Sequence, residues 1–338
     1  MIKVIDNQIE WDTCLLEMDS YDFYHSFEYH QTLKNKEEEL FLVVYDEDNI
    51  KIAIPFLKRK INSKFYDLTS VHGYLGPVSK NVPENFDNSR FKTHFDDLLK
   101  KEHIVSVFSK LNPYIQNQKE IINSLGDVEN IGEVIYFNQE EAEEEQIKCY
   151  GRNTRQRLNQ LKKMCTIKYA SSEEEISSFI KLYHENMDRL EAKRVFYFQQ
   201  EYFNTLLNSN ILDAKIILAI HNTTKDIMGG VFCVGTKEIM HVELACTNPI
   251  YFKNSPVRIL FDSSRLFYKN NTVKYLNLGG GTGGREGSLM QFKSSFSQNY
   301  VDFNVWKYIV SPDIYISLIP NEQKESNSDF FPKYRLNH

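Results

Sequence analysis

Lys293 is the side chain in this sequence most clearly set for work on an anion, because it closely follows the run Gly279-Gly280-Gly281-Thr282-Gly283-Gly284. Glycine lets backbone approach a ligand and present successive N–H groups as an anion nest, and a lysine just beyond such a nest adds a mobile point charge for a phosphate. The run is not G-x-x-x-x-G-K-[S/T], and nothing after it supplies the helix and strand that a dinucleotide fingerprint requires. Its plain alternative is a surface turn. Arg152, Arg155 and Lys162 form a second cationic group, with Arg155 and Lys162 two helical turns apart and Leu158 and Leu161 available to the core. That helix presents either a phosphate-facing stripe or a solvated basic face paired with nearby glutamates.

Chemistry on an amine also needs a proton acceptor. One set lies in Asn186-Met187-Asp188-Arg189-Leu190-Glu191-Ala192-Lys193, where Asp188 or Glu191 offers a carboxylate. Arg189 stands beside it, and Tyr197 belongs to an aromatic wall, Phe196-Tyr197-Phe198, suited to packing a substrate. The other set is His241 and Glu243, which alternate on one face of an expected strand opposite Val242 and Leu244. There is no G-x-S-x-G elbow and no local Cys-His pair, so a covalent nucleophile is not favoured. The five cysteines are scattered, without C-x-x-C or zinc spacing, which fits a reducing compartment and no built-in metal.

These residues need two α+β units to hold them. The chain has 338 residues, 41% hydrophobic and 25% charged, which excludes disorder throughout and suits two domains. A net charge of -6 is too mild to attract nucleic acid by its overall field, so any anion site must be local. The first half reads as a helix over residues 24–33, a hairpin of strands 40–45 and 50–57, a shaped loop at Ser70 to Pro77, a helix over 91–101 and strands at 104–108 and 133–137. An abrupt change from Glu140, Glu141, Glu143, Glu144 and Glu145 to Lys148, Arg152, Arg155 and Arg157 puts the boundary near residue 140. The second half reads as a helix opened by a capping box of Ser171 with Glu174, a helix over 200–208, strands 215–221, 227–234 and 239–247, a helix capped by Ser255, and a strand 274–278 ending in the glycines. The expected domains are 1–140, 141–315 and a polar tail, 316–338. The opening residues lack signal-peptide character, and no apolar run approaches membrane-spanning length, so the expected location is cytoplasmic, with association at the inner membrane face as an option.

Seven segments in order resemble the FemAB-like branch of the GNAT acyltransferase superfamily: Ile54-Pro55-Phe56-Leu57, Gly73-Tyr74-Leu75-Gly76-Pro77, residues 108–114, Arg152-Asn153-Thr154-Arg155, residues 183–189, Gly279 to Gly281, and Phe292-Lys293-Ser294-Ser295-Phe296. The resemblance implies two tandem GNAT-like domains with mixed, largely antiparallel sheets. It implies phosphate contact by Lys293, with Arg155 near the same cleft and Tyr74 shaping the junction that faces it. The family's characterised members pass an amino acid from aminoacyl-tRNA to a peptidoglycan precursor, and relatives with an acetyltransferase-like domain use acyl-CoA. Lys110-Leu111-Asn112 stands where the family often has Arg-Leu-His, and the long coiled-coil insertion of some bridge-building members is missing.

The expected function is N-acyl transfer to an amine of a sugar- or peptide-containing cell-envelope or natural-product precursor. Acyl-CoA is the expected co-substrate, aminoacyl-tRNA the alternative donor, and a small or lipid-linked amine the acceptor, with no DNA and no metal. The alternative is a catalytically silent scaffold on the same fold. Glu243, His241 and Asp188 are the candidate proton acceptors. Lys293, Arg155, Arg152, Tyr74, Arg189 and Tyr197 are the substrate candidates, and Gly279, Gly280 and Gly281 with Lys293 are those for the donor.

Overall fold

The computed structural model describes residues 1–269, 271–281, 287–324 and 328–336. In chain order it forms β1 (Ile2–Ile5), α1 (Gln8–Leu16), α2 (Phe27–Leu33), β2 (Glu38–Glu47), β3 (Ile50–Lys60), β4 (Tyr66–Thr69), β5 (Val78–Lys80), α3 (Ser89–Lys101), β6 (Ile104–Lys110) and α4 (Gln118–Ile121). Then come β7 (Asp127–Asn138), α5 (Glu143–Lys148), α6 (Arg152–Met164), β8 (Cys165–Tyr169), α7 (Glu173–Arg189), α8 (Gln200–Leu207), β9 (Asp213–His221), β10 (Ile227–Gly235) and β11 (Ile239–Thr247). The chain closes with α9 (Val257–Lys269), β12 (Tyr275–Gly280), α10 (Ser288–Ser294), β13 (Asn299–Ile309), α11 (Pro312–Leu318) and α12 (Asn321–Lys324). It divides into two compact units, Met1–Ile131 with Asp302–His338, and Gly132–Val301. The charge reversal near residue 140 turns basic at Lys148, the last residue of α5, and lies in the second unit close to its start at Gly132.

The first unit orders its strands β1-β2-β3-β4-β6-β13, with β5 on β3; β4 and β6 are parallel and the other pairs antiparallel. Asp48 and Asn49 close the β2–β3 hairpin at φ 52° and 67°, a conformation that short polar side chains tolerate. Gly73 has φ 119°, and a Cβ there would sit 2.1 Å from the ring of Tyr24, so the expected shaped loop exists because that ring lies on its backbone. Phe56, Phe91, Phe95 and Trp306 form the centre of this core. The stretch expected to be a polar tail is exposed at half of its described residues, but its end is docked by a few buried side chains. Tyr334 is buried and its hydroxyl meets Ser106 at 2.8 Å, while Asp67 receives Arg335 Nε at 2.6 Å and Arg59 Nε at 2.7 Å. A few aromatic and charged anchors dock this segment despite its polar composition.

The second unit is also built on a run of paired strands. Its strands are ordered β7-β12-β11-β10-β9-β8, with β11 and β12 parallel and the other described pairs along this order antiparallel. Two helices connect β1 to β2 and two connect β8 to β9; one crossover helix, α3 or α9, leads to the parallel partner. Both units are thus α+β, with mixed and largely antiparallel strands. The capping box on α7 is Ser172 with Glu175, one residue beyond the expected pair: Ser172 Oγ accepts from the Glu175 N–H at 3.2 Å, and the Glu175 carboxylate accepts from the Ser172 N–H at 3.4 Å. The doubled serines and tripled glutamates permit both registers, and the tie of Glu175 to Lys168 belongs to the one observed. α7 packs closely because Gly230 of β10 lies under Phe179, whose ring a Cβ would meet at 2.6 Å. α9 is fixed to the α5–α6 junction through buried Arg265, which donates to Gln146 Oε1 at 2.8 Å, the Tyr150 hydroxyl at 2.8 Å and Asp262 Oδ1 at 3.0 Å.

A buried imidazole in the first unit makes stability depend on pH. His30 on α2 is fully buried, its Nδ1 bonds the Ser26 carbonyl at 2.9 Å, and its Nε2 has no partner. Burial pushes its pKa down to about 3, and His25 is lowered for the same reason. A group lowered from near 6.5 in the unfolded chain stays neutral in the fold while the unfolded state binds protons, so stability falls as pH drops below about 6.5. Urea unfolding at pH 7 and pH 5 should show a loss of about 2 kcal/mol from His30 alone, and His30→Phe should flatten that dependence. An unchanged pH slope in the variant would contradict the assignment.

Candidate functional site

The parallel pairing of β11 with β12 lasts only three rungs, Ile239↔Tyr275, Met240↔Leu276 and His241↔Asn277. Each strand then changes register against its other neighbour. On β11, Val242 pairs with Cys233 and Leu244 with Phe232, which leaves Glu243 as the inserted residue of a β-bulge. On β12, Asn277 pairs with Tyr136 and Gly279 with Ile135, so Leu278 is the insertion. Two bulges just past the last shared rung end the pairing at that point. At the far end of β11, Asn186 of α7 closes the edge: its amide donates to the Thr247 carbonyl at 2.9 Å and accepts the Thr247 N–H at 3.3 Å. Between His241 and Thr247, no described strand pairs with this side of β11.

Asn277 fastens the last rung. Its Oδ1 accepts the Gly279 N–H at 2.8 Å, which points its amide nitrogen at His241 Nδ1, 2.9 Å away. The amide nitrogen can only donate, so Nδ1 is the acceptor of this bond. Gly279 has φ 77°, and a Cβ on Gly280 would lie 2.6 Å from the Glu133 carbonyl, so a bulge and close strand packing require these two glycines. Gly279 and Gly280 are strand residues, one past and two past the expected end of the strand, and the Gly279 N–H that an anion nest would use is committed to Asn277. Gly281 ends the described stretch, and Thr282, Gly283 and Gly284 lie outside the described residues.

Lys293 reaches this opening from α10. Its Nζ donates to the Gly280 carbonyl at 2.8 Å. Burial pushes its pKa down to about 8, and the charge of Glu243 opposes that fall, which places the bulge carboxylate and the ammonium in one electrostatic neighbourhood. Glu243 also acts on Tyr183 of α7 and Tyr202 of α8, whose phenols are raised first by burial and then by its charge. The F-K-S-S-F segment explains how the lysine is held. Phe296 is buried in the core, Ser295 Oγ meets Thr154 Oγ1 of α6 at 2.8 Å, and Phe292 carries the Arg258 guanidinium 4.6 Å above its ring.

The insertion alters the phase of the strand expected from alternation. Val242 packs into the core with α9, while Leu244 pairs with Phe232, a residue in ring contact with Tyr202 and Phe203 on α8. The expected alternation of Val242 and Leu244 against His241 and Glu243 therefore breaks at the bulge. His241 is almost fully buried. Asp188 is exposed and accepts from the Tyr197 hydroxyl at 2.9 Å; Tyr183 senses both Tyr197 and Glu243. Arg189 lies 4.7 Å over the Phe252 ring. Arg152 and Arg155 are exposed at the start of α6, and Lys162 lies 3.8 Å from Asp262. Tyr74 belongs to the first unit, edge-on to Tyr24 and Phe303. Asn277, Tyr202 and Arg258 were not legible as site residues; the Asn-x-Gly spacing before the glycine run was the one available signal. Among the described residues, no group of three or more His, Cys, Asp or Glu side chains could hold a metal ion, and no helix is long and apolar enough to cross a membrane.

No family model matches the chain, and no curated protein matches it. Among solved structures it is similar to FemX over 93% of this chain and 99% of that one, with a TM-score of 0.70 at 10% sequence identity. It is also similar to a tandem GNAT protein from the clavulanic acid biosynthesis pathway, over 92% and 99% of the two chains, with a TM-score of 0.51 at 7% identity. These likenesses establish the fold, an α+β arrangement of GNAT type.

Removing Asn277 should loosen this opening without emptying a core. Asn277→Ala leaves His241 Nδ1 and the Gly279 N–H without their side-chain partner, which should cost about 1–3 kcal/mol in urea unfolding and speed amide exchange at Gly279. Wild-type exchange and stability in that variant would show that the pairing ends for another reason.

Proposed function

We propose that the chain is an N-acyltransferase built from two GNAT-like domains, with its reaction centre where β11 and β12 part in the second. The observation that carries this reading is the pair of bulges beyond His241↔Asn277, which leaves a strand edge beside Glu243 and Lys293. The tandem reading rests on the repeated strand order and the parallel pair in each unit. Acyl transfer to an amine needs three things from a protein: a donor carbonyl held against backbone N–H groups, an amine held in line with it, and an acceptor for the proton the amine loses. The β11 edge supplies the first. Glu243 is the proton acceptor, with Tyr183 and Tyr202 beside it.

In this reaction the amine lone pair attacks the acyl carbon of a thioester or ester, the carbonyl electrons move to an oxyanion facing the β11 edge, and Glu243 takes the amine proton. Collapse breaks the carbon–sulfur or carbon–oxygen bond, and the leaving group departs with a proton returned to it. His241, joined to Asn277, holds the strand end that positions Glu243. Lys293 supplies positive charge to a donor or acceptor phosphate, and Arg155 and Arg152 are further phosphate contacts. Asp188, Arg189 and Tyr197 contact the acceptor. The donor is an acyl-CoA, with aminoacyl-tRNA as the alternative suggested by the sequence resemblance; the acceptor is an amine on a sugar- or peptide-containing precursor.

Purified protein offered pairs of donors and amines, with products read by mass spectrometry, tests the reading. With a competent pair, Glu243→Gln should lower kcat about a hundredfold or more at unchanged circular dichroism. Lys293 is charged below about pH 8, so phosphate-bearing ligands should bind more weakly as pH rises through 8, and Lys293→Met should weaken binding about tenfold and remove that step. Wild-type turnover by Glu243→Gln would overturn the role of the carboxylate. Absence of transfer with every donor class would favour a silent scaffold.

A further inference from the structure

Two short 3-10 turns of the second unit, one after α7 and one after β11, hold apolar side chains outward. After β11, Asn248 caps a 3-10 turn, Pro249–Asn254, by accepting the Ile250 N–H at 3.1 Å. This turn buries Tyr251, whose ring stacks on His221, and holds the residues on either side outward: Ile250 is 77% exposed and Phe252 40%. After α7, a second 3-10 turn, Arg194–Phe196, leaves Val195 64% exposed, close in sequence to Leu190 at 56%. The two are tied into place, one by the Tyr183 hydroxyl donating to the Phe196 carbonyl at 2.8 Å and the other by Arg189 lying over Phe252. Single exposed aliphatics need no explanation, but three aliphatics and a phenylalanine on and beside two anchored turns do.

Charge decides among the occupants of such a surface. Lys193, Arg194 and Lys253 are exposed on these turns, against Glu191, in a chain whose formal net charge is -6. A second copy docked face to face here would set these cations against their own copies, like charge against like. An anionic lipid surface pairs with them instead: aliphatic and aromatic tips enter the acyl boundary while lysine and arginine stay at the headgroups. We propose that the turns at Leu190–Phe196 and Pro249–Asn254 form a docking face for anionic membranes. The face would lie on the bilayer without crossing it, and the proposal stands independently of acyl transfer.

Cosedimentation of the full chain with vesicles of phosphatidylcholine alone, or of phosphatidylcholine with phosphatidylglycerol, tests it without any acyl donor. Partitioning should favour the anionic vesicles and weaken at high salt. Val195→Glu with Ile250→Glu should reduce it at least tenfold at unchanged melting temperature, whereas Ile9→Glu, at an equally exposed isoleucine of the first unit, should not. Arg194→Glu with Lys253→Glu should abolish the preference for anionic lipid. Absence of partitioning, or partitioning insensitive to both double variants, would overturn the proposal. A concentration-dependent dimer that Val195→Glu with Ile250→Glu abolishes would also overturn it, by assigning the face to a second copy.

Discussion

The arrangement of the second unit depends on where one parallel strand pairing stops. β11 and β12 share rungs only as far as His241↔Asn277, and each then carries an inserted residue against its outer neighbour. Had the ladder continued, β11 would meet β12 along its length and Glu243 would fall into simple alternation. The hydrogen bonds of Asn277 to His241 and Gly279 fix the stopping point, and the glycines permit β12 to pack against β7 beyond it. Carboxylate, strand edge and lysine are neighbours as a consequence.

The helices serve that opening from three sides. α7 brings Tyr183 and Asn186, the latter closing the edge at Thr247. α8 brings Tyr202. α10 brings Lys293, held because Ser295 and Thr154 join α10 to α6 while Phe292 lies against Arg258 of α9. A motif that reads in sequence as a lysine between two phenylalanines is, in the fold, a lysine aimed by its neighbours. Phe296 anchors, Ser295 ties, and Lys293 reaches the other way to Gly280.

Much of the fold was legible because its determinants are local. The strand over residues 239–247 and the helix over 200–208 follow from alternation and helical spacing, and the Asp48-Asn49 hairpin from turn chemistry. What the residues did not disclose is non-local. A bulge is a property of two strands in register, so nothing in His241-Val242-Glu243-Leu244 marks Glu243 as the insertion. β13 returns to pair with β6 after nearly two hundred intervening residues, and no periodicity announces that partner. Repeated serines and glutamates left the cap of α7 ambiguous by one residue, and polar composition masked the docking of Tyr334 and Arg335.

The central claim is that the edge of β11 beyond His241 receives the reacting carbonyl. Amide hydrogen exchange with a non-reactive thioether analogue of the acyl donor tests it most directly, since it reads backbone N–H groups residue by residue. Protection concentrated at Val242 to Ala245, with a smaller change at Gly279 and Gly280, is the expected result. Saturating analogue that leaves those amides unchanged while protecting another part of the chain would contradict the account.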